Sequence, residues 1–284
     1  MKTALCVVAW VVLAPFIGGL LAGADRIITA RMQSRVGPPL FQPFYDVLKL
    51  FGKRGVVVNG YQNFYMICFL AFVVVTGALF FSGGDLLLTI FALTVAGVFF
   101  ALGAYSPNSP YSNIGAEREL LQMMSYEPVL IIAALGMFMV TKSWHVHDIL
   151  AFQKPLFVFL PGVFLAFLFI LTIKLRKSPF DLSTSHHGHQ ELVKGATTEF
   201  SGSALAIIEI SHWYENVLLM GFVYLFFAFN WVVAIFAVVV AYIVEILVDN
   251  TYARLTWRFT VKSSWIVGGI LGVVNLFVIA FLVK

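Results

Sequence analysis

The sequence predicts an all-α polytopic integral membrane protein with about eight transmembrane helices and a cytoplasmic amphipathic helix. Of its 284 residues, 61% are hydrophobic and only 11% are charged, whereas a soluble domain is about half apolar. Apolar runs of about 20 residues, the length that crosses a bilayer as a helix, recur along the chain with short polar pieces between them. These observations predict a single membrane domain over residues 1–284 and leave no room for a separate soluble one.

Eight stretches have the length and the apolar character of transmembrane helices. They cover residues 4–21, 63–82, 86–105, 121–141, 155–173, 204–229, 231–248 and 264–283. A secretory signal is an alternative for the first stretch, because Ala22-Gly23-Ala24 resembles a cleavage site. Its apolar run is longer than a typical signal core, and further spans follow, so we expect a retained transmembrane helix.

The distribution of basic residues predicts which loops face the cytoplasm. Of the 18 Lys and Arg residues, 14 lie in the loops after spans one, three, five and seven. Loops that are rich in Lys and Arg remain in the cytoplasm of the cell. We therefore expect these large loops inside and both termini outside, and the net charge of +4 reflects this topology and does not indicate nucleic-acid binding.

The long loop after the first span contains a predicted amphipathic helix over residues 40–51. Phe41, Phe44, Leu48 and Phe51 recur there at helical spacing, and the polar side chains lie away from them. Such a helix places its apolar face in the lipid boundary and its polar face toward water or a partner.

Acidic residues in and beside the spans are the main functional signal. Glu209, His212 and Glu215 follow one another at i, i+3 and i+6, so they share one broad face of a helix. Glu245 and Asp249 form an i, i+4 pair. An unpaired charge in hydrocarbon costs roughly 2.5 kcal/mol or more, and such residues often mark proton or ion pathways. We therefore favour a hydrated path that handles protons.

The alternative for each acid is a structural ion pair with a basic neighbour, or a position in interfacial water. The candidate neighbours are Arg118, Lys174 and Lys194. Three histidines in the loop at 174–203 match no established metal-ligand spacing, so a contact with another subunit is favoured over a metal site. The two cysteines lie in separate spans and form no cluster motif. We predict no catalytic residue, metal site or bound cofactor in this chain.

Three motifs, in a fixed order, carry a family resemblance. They are ARMQSRVGPP followed by QPFYDVLKL, then GAERELLQMMSYEP, then KSPFD followed by QELVKGATTEFSG. Together they resemble the membrane subunit at the heel of respiratory complex I, the subunit 1 family, and its relatives in energy-converting hydrogenases. The resemblance extends from about Arg26 to Asp249 and implies the cytoplasmic membrane of a prokaryote.

The resemblance implies roles for particular residues. In complex I relatives, the segments that match 40–51 and 174–203 form the floor and mouth of a quinone chamber and dock the hydrophilic arm. Acidic residues lead from that chamber into the membrane. By motif, the resemblance places Glu127, Asp181, Glu191 and Glu199 on the proton path, and the positions of the acids in and beside the spans add Glu119, Glu209, His212, Glu215, Glu245 and Asp249. The implied docking surface for partner subunits consists of Arg31, Gln33, Arg35, Gln42, Asp46, Lys49, His186, His187 and His189.

Two departures from complex I favour the hydrogenase branch, the Ech-type nickel–iron hydrogenases. The loop after PFD reads LSTSHHGHQ, where complex I relatives carry several acids. The acid that complex I relatives carry in span six falls at His212. The resemblance thus implies a non-catalytic subunit of a ferredoxin-dependent hydrogenase, which couples proton reduction or hydrogen oxidation to proton or sodium translocation.

This interpretation implies partners and leaves alternatives open. The expected partners are the hydrogenase large and small subunits with a nickel–iron centre and 4Fe–4S clusters, a ferredoxin-like iron–sulfur subunit and an antiporter-like membrane subunit. One alternative is the quinone-site subunit of a complex I-type dehydrogenase. Others are the membrane subunit of a formate- or carbon-monoxide-linked hydrogenase complex and a free-standing ion transporter.

Overall fold

The computed structural model describes residues 2–55, 59–180, 183 and 194–282. The described backbone is α-helical and forms no β-strand, which confirms the predicted all-α class. The helices are α1 (Lys2–Met32), α2 (Gln42–Gly52), α3 (Gln62–Phe81), α4 (Leu86–Tyr105), α5 (Pro110–Thr141), α6 (Val146–Ala151), α7 (Leu156–Phe159), α8 (Pro161–Lys174), α9 (Gly202–Phe226), α10 (Trp231–Thr251), α11 (Trp257–Val267) and α12 (Val274–Leu282).

Six helical stretches in the described residues are long and apolar enough to cross a membrane. They are α1, α3, α4, α5, α10 and the continuous stretch Trp257–Phe281, in which a π-helical turn joins α11 to α12. The predicted count of eight is therefore not confirmed. The span predicted at 155–173 is broken at Leu160, and α8 has only 14 residues. Helix α9 is long enough, but its polar middle makes it less apolar, and α1, α2, α3 and α10 pack around it.

Two helices extend well beyond the predicted apolar spans. Helix α1 continues to Met32, although its apolar run was predicted to end at residue 21. Helix α5 starts at Pro110, ahead of the span predicted to start at residue 121. Proline favours the first turn of a helix, and Pro110 begins α5; α1 continues past its apolar run to Met32. As a result, several charged residues are held on rigid helices.

The connecting segments meet at two ends of the helix bundle. At one end, Asn59 donates to the carbonyl of Ser106 (3.0 Å), Gln62 donates to the carbonyl of Glu199 (3.2 Å), and the amide of Leu255 donates to Pro179 (3.1 Å). All four loops predicted to be cytoplasmic thus lie together, and we call this the charged end. The side of the membrane that it faces stays a prediction.

Helix α2 confirms the predicted amphipathic helix, but it does not lie flat. The ring of Phe44 packs on Trp213 of α9 and on Phe16 of α1, at centroid distances of 5.2 and 6.2 Å. The segment after α2 reaches Gly202, the first residue of α9, which packs on Gly55 and has a φ of 55° that favours glycine. From Gly202 to Trp213, α9 rises about 16 Å. Helix α2 therefore runs antiparallel to α9 and enters the bundle with its N-terminal end.

Asn275 of α12 bridges the break between α7 and α8. Its Oδ1 accepts hydrogen bonds from the amides of Gly162 (3.1 Å) and Val163 (3.2 Å), and its Nδ2 donates to the carbonyl of Phe159 (3.2 Å). A helix start leaves such amides without partners inside the helix. The side chain of another helix therefore caps α8 in place of a local residue.

Candidate functional site

A chamber of about 710 Å³ opens at the charged end. Its walls come from α1 and the segment after it, from the segment that follows α8, and from α9 and α10. The charged and histidine side chains in these walls are Asp25, Arg26, Arg35, Lys174, Arg176, Lys177, Glu209, His212, Glu215, Asp249 and Arg254. A typical small-molecule site has mainly apolar walls. Apolar residues share these walls, among them Ile208, Trp213 and Tyr242, so the chamber offers both charged and apolar surface.

The floor of the chamber is a cluster of buried polar side chains that belong to three helices and the segment after α8. Lys174, at the end of α8, donates to Oε1 of Glu215 on α9 (2.9 Å) and to the hydroxyl of Tyr126 on α5 (3.2 Å). Nη2 of Arg176 donates to Oε1 of Glu119 on α5 (2.8 Å). We call these five residues and His212 the buried charge cluster.

His212 lies between the two halves of this cluster. Its Nδ1 is 3.0 Å from Oε2 of Glu215, and Nη1 of Arg176 is 2.8 Å from its Nε2. Nη1 of Arg176 is also 2.7 Å from Nδ1, so the guanidinium lies against the edge of the ring, and the imidazole contacts both a carboxylate and a cation. The rings of Phe69 and Phe100 enclose the imidazole edge-on, at 5.7 and 5.8 Å.

The buried charge cluster is electrically balanced. It holds two cations, Lys174 and Arg176, and two carboxylates, Glu119 and Glu215. Lys174, Glu119 and Glu215 are at most 5% exposed, which is tolerable because opposite charges pair and hydrogen-bond. Adding or removing one proton would leave an uncompensated charge. At about 4 Å, a unit charge is worth roughly 4 kcal/mol at an effective dielectric constant near 20, so the cluster responds strongly to charge in the chamber.

A second ion-pair group, the lysine bridge, joins three elements at the chamber wall. Lys177 contacts Asp25 of α1 and lies 3.4 Å from Asp249 of α10. Asp249 also accepts a hydrogen bond from the amide of Ser178 (2.9 Å). The lysine bridge therefore fixes the start of the segment after α8 to α1 and α10.

Two acids lie deeper in the helices and are not satisfied in the same way. Glu245 is one turn of α10 from Asp249 and is 2% exposed, and its Oε2 is buried without a hydrogen-bond partner in the described residues. Glu127 lies about two turns of α5 beyond Glu119. Its Oε1 is also buried without a hydrogen-bond partner in the described residues. An uncompensated charge at such a place is costly. Neither acid has the ion pair that Glu119 and Glu215 form in the part of the chain that the structure describes.

The structure brings together half of the predicted proton path. Three members belong to the buried charge cluster, namely Glu119, His212 and Glu215. Two more line the chamber, Glu209 and Asp249. The predicted shared face of Glu209, His212 and Glu215 is thus confirmed, since all three side chains meet the chamber.

The remaining path residues lie elsewhere. Glu245 and Glu127 lie deeper in α10 and α5, as described above. Glu199 is partly exposed and does not line the chamber. Asp181 and Glu191 lie outside the described residues.

The predicted docking residues are spread over the charged end. Gln33 and Arg35 line the chamber. Arg31 and Lys49 are exposed. The histidines of this prediction, His186, His187 and His189, lie outside the described residues.

Asp46 and Gln42 take part in contacts within the chain. Arg26 of α1 donates to Asp46 (2.6 Å), and Gln42 donates to its other oxygen (3.0 Å). Partial burial favours the neutral carboxyl, but the hydrogen bonds from Arg26 and Gln42 and the charges of Arg26 and Lys49 outweigh it and lower the pKa of Asp46 below 3.8. Asp46 therefore attaches α2 to α1.

Sequence reasoning missed three charged residues of the site. Arg176, Lys177 and Asp25 were not predicted, and Lys174 was considered only as one of several neighbours for the acids. A usable signal was the run KLRK at the end of the fifth apolar stretch, because buried carboxylates need cations at the same level of the bundle. Among the described residues, no group of three His, Cys, Asp or Glu residues could hold a metal ion.

Comparison with known proteins identifies the family. The family described as NADH dehydrogenase matches residues 4–280. The chain belongs to this family. Among its curated relatives is hydrogenase-4 component C of Escherichia coli, 29% identical over 280 residues that cover 87% of each chain. Another is formate hydrogenlyase subunit 4 of Escherichia coli, 28% identical over 87% of this chain and 89% of the relative.

Relatives from the dehydrogenase side of the family are about equally similar. A subunit of NADH-quinone oxidoreductase from Syntrophobacter fumaroxidans is 29% identical over 92% of this chain and 90% of the relative. The fold agrees with a chain in the structure of the membrane-bound sulfane sulfur reductase, an archaeal respiratory membrane complex. The TM-score is 0.85 at 23% identity, over 97% of this chain and all of that one.

Proposed function

We propose that this chain is the membrane anchor and ion-coupling subunit of an energy-converting nickel–iron hydrogenase complex. The observation that carries the proposal is the buried charge cluster at the floor of a chamber with charged walls. The similarity to hydrogenase-4 component C over most of both chains supports the hydrogenase branch. The charged end would face the cytoplasm of a prokaryote, because most Lys and Arg residues lie there.

The proposed coupling starts with a charge change above the chamber. An iron–sulfur cluster or nickel–iron centre in a partner subunit would supply this change of charge, and Arg176, His212 and Glu215 at the chamber floor would be the side chains of this chain that respond to it. The buried charge cluster then takes up or releases a proton, because its balance is close to zero and the surroundings screen poorly. Glu127 and Glu245 accept or supply that proton from deeper in the bundle. Ion movement through a neighbouring membrane subunit follows from this step.

The proposed partners are subunits of one oxidoreductase complex. Hydrogenase large and small subunits and a ferredoxin-like iron–sulfur subunit would sit on the charged end, with Arg31 among the exposed contacts. The nickel–iron centre and the 4Fe–4S clusters would belong to those subunits, and ferredoxin would be the electron donor. An antiporter-like subunit would lie beside the helices and move protons or sodium ions.

A second candidate function is the quinone-site subunit of a complex I-type dehydrogenase. The chamber volume falls within the range of small-molecule sites, and a relative named for NADH-quinone oxidoreductase supports it. The charged walls count against it, because a quinone ring and its apolar tail bind best to apolar and aromatic surfaces.

The test is to purify the complex through this chain from gently solubilised native membranes and to identify its subunits, metals and organic cofactors. Nickel with iron and hydrogenase-type subunits would support the proposal. A larger complex with flavin and quinone, and without nickel, would overturn it in favour of the dehydrogenase. Recovery of the chain alone, with ion transport activity in vesicles, would overturn both.

A further inference from the structure

We propose that the exposed face of α2 is a binding site for an anionic phospholipid, with the acyl chain on its N-terminal half and the headgroup on its C-terminal half. The proposal depends on the membrane fold of the chain and is independent of the ion-coupling role. It rests on the depth of α2 in the bundle, on the apolar side chains of its outer face, and on the charges at its upper end.

The depth of α2 follows from its contacts with two longer helices. The carbonyl of Leu40 packs against Gly23, and the ring of Phe44 packs against Gly19 and Phe16 of α1. Phe16 and Gly19 lie inside the apolar run of α1, about 9 to 14 Å before Asp25, its first charged residue after that run. The ring of Phe44 therefore reaches the level of hydrocarbon, while the carbonyl of Leu40 packs against Gly23, two residues before Asp25.

The outer face of α2 is apolar at this level. One side of the helix packs on α9, where Val47 is buried against Ala206 and Trp213. On the opposite side, Phe41 is 56% and Leu48 is 66% exposed. Tyr45 and Phe51 are exposed as well. Large apolar side chains at hydrocarbon depth are stable against lipid chains, whereas water would not solvate them well.

The same face becomes basic toward the C-terminal end. Tyr45, Lys49 and Lys53 follow one another at intervals of four residues, so they lie along one side of the helix. Lys49, Lys53 and Arg54 are exposed, and Lys53 lies beside Gly202 at the start of α9. The N-terminal half of the outer face is thus apolar, and in the C-terminal half basic side chains alternate with the apolar Leu48 and Phe51.

The charge of this face is not cancelled by acids of the same helix. Asp46 is the sole acidic residue in 40–55, and Arg26 of α1 already pairs with it. Basic residues at a membrane surface attract anionic lipids by about 1 kcal/mol each, and the attraction falls with salt. A phosphate headgroup with a net negative charge is therefore the ligand whose charge and apolar tail both match this face.

The test uses the purified complex in vesicles that contain photoreactive lipids. Phosphatidylglycerol and phosphatidylcholine are compared at equal mole fraction, each with the reactive group either at the end of an acyl chain or beside the headgroup. Peptide mass spectrometry then locates the labels. We expect chain-end labels on residues 41–45, headgroup labels on residues 49–54, and stronger labelling by phosphatidylglycerol at low salt.

Matched variants separate the charge effect from general lipid contact. In the double variant Lys49→Gln and Lys53→Gln, the preference for phosphatidylglycerol should fall by about fivefold for each lysine. The double variant Lys142→Gln and Lys154→Gln makes the same charge change at the opposite end of the bundle and should leave the preference at α2 unchanged. Equal labelling by both lipids would overturn the proposal. The proposal would also be overturned if this peptide cross-linked to a partner subunit. The same would follow if the chain-end and headgroup reactive groups labelled the same residues.

Discussion

Two sets of buried acids in this bundle differ in how their charge is compensated. Glu119 and Glu215 lie within 2.9 Å of a cation and share the balanced cluster at the chamber floor. Glu127 and Glu245 lie deeper, and neither forms an ion pair among the described residues; a buried oxygen without a hydrogen-bond partner occurs in both sets, at Oε2 of Glu119 as well as in these two acids. The first set can remain charged because its charges are paired, whereas the second set pays for charge with desolvation.

The difference separates structural acids from acids that can carry protons. Removing a partner from the paired set leaves a bare charge inside the bundle and should affect folding. Neutralising a member of the unpaired set removes no ion pair and should affect proton transfer. Stability and coupling measurements on matched variants can therefore test whether the two sets differ as the geometry indicates.

The largest expected effect on stability comes from Lys174→Met. Glu215 would lose the ammonium group at 2.9 Å and stay buried, which should lower the free energy of unfolding by about 3–5 kcal/mol. Denaturation of the purified complex in detergent measures this change. The double variant with Glu215→Gln should recover much of the loss, and Lys154→Met, at an exposed position, should stay within about 0.5 kcal/mol of wild type.

If Lys174→Met were as stable as the control, the paired set would not depend on its cation. Ion pairing would then not be what distinguishes the paired acids from the unpaired ones. If the double variant were no better than the single one, packing of the lysine chain would outweigh its charge.

Glu245→Gln should have the largest effect on coupling. A positioned proton-transfer group contributes roughly 10²–10⁴-fold to such a step, so we expect the number of ions moved per hydrogen molecule to fall by about tenfold or more. Stability should change little, since no ion pair is lost. Ion uptake and hydrogen formation in sealed vesicles give the ratio. Glu117→Gln, an exposed change on α5 at the same end, is the control, and an unchanged ratio for Glu245→Gln would contradict the proton role.

Glu127→Gln and Glu199→Gln form a graded pair. Both should slow ferredoxin-driven hydrogen production while the complex still assembles. The structure makes the expected slowing larger for Glu127, because Glu199 is partly exposed and lies outside the chamber wall. Rates of hydrogen production, with assembly checked on native gels, would show the order. A larger effect at Glu199 would mean that the path runs through the segment beside it.

The smallest expected effect is at Asp46, a half-exposed ion pair. Asp46→Asn should cost less than about 1 kcal/mol. Because folding lowers the pKa of Asp46, its contribution to stability is present above its ordinary pKa of 3.8 and is lost as the pH falls through the lower pKa of the folded state. Arg26→Gln should cause a similar loss, and the double variant should add nothing further. Additive losses would show that the two side chains act separately.

The fold class and most helices could be predicted from the sequence, because the length of apolar runs is a local property. Six of the predicted spans correspond to helices that can cross a membrane. The break at Leu160 was missed although Pro161 follows it and proline ends a preceding helix; the cap from Asn275 could not be predicted, because that residue is far away in sequence. Helix α9 was predicted as a span. Other helices surround it, so it can carry polar side chains in its middle that a helix facing lipid could not carry.

The candidate site was predicted unevenly for a similar reason. Acids within apolar stretches are visible in the sequence, so Glu209, Glu215 and Glu245 were found. Their cations are not visible, because Arg176 and Lys177 look like ordinary flanking residues until three helices bring them to the acids. The depth of α2 was hidden as well, since hydrophobic spacing gives the apolar face of a helix but not its tilt.

Asn275 has a consequence for the biogenesis of the chain. The amides of Gly162 and Val163 are synthesised more than a hundred residues before the side chain that caps them. Until the last helix leaves the translocon, α8 has an open start within the bilayer, where each unsatisfied backbone group costs several kcal/mol. The last helix to be inserted therefore completes a helix that was inserted much earlier. A chain truncated before α12 would leave the start of α8 uncapped and would expose it to the quality-control proteases.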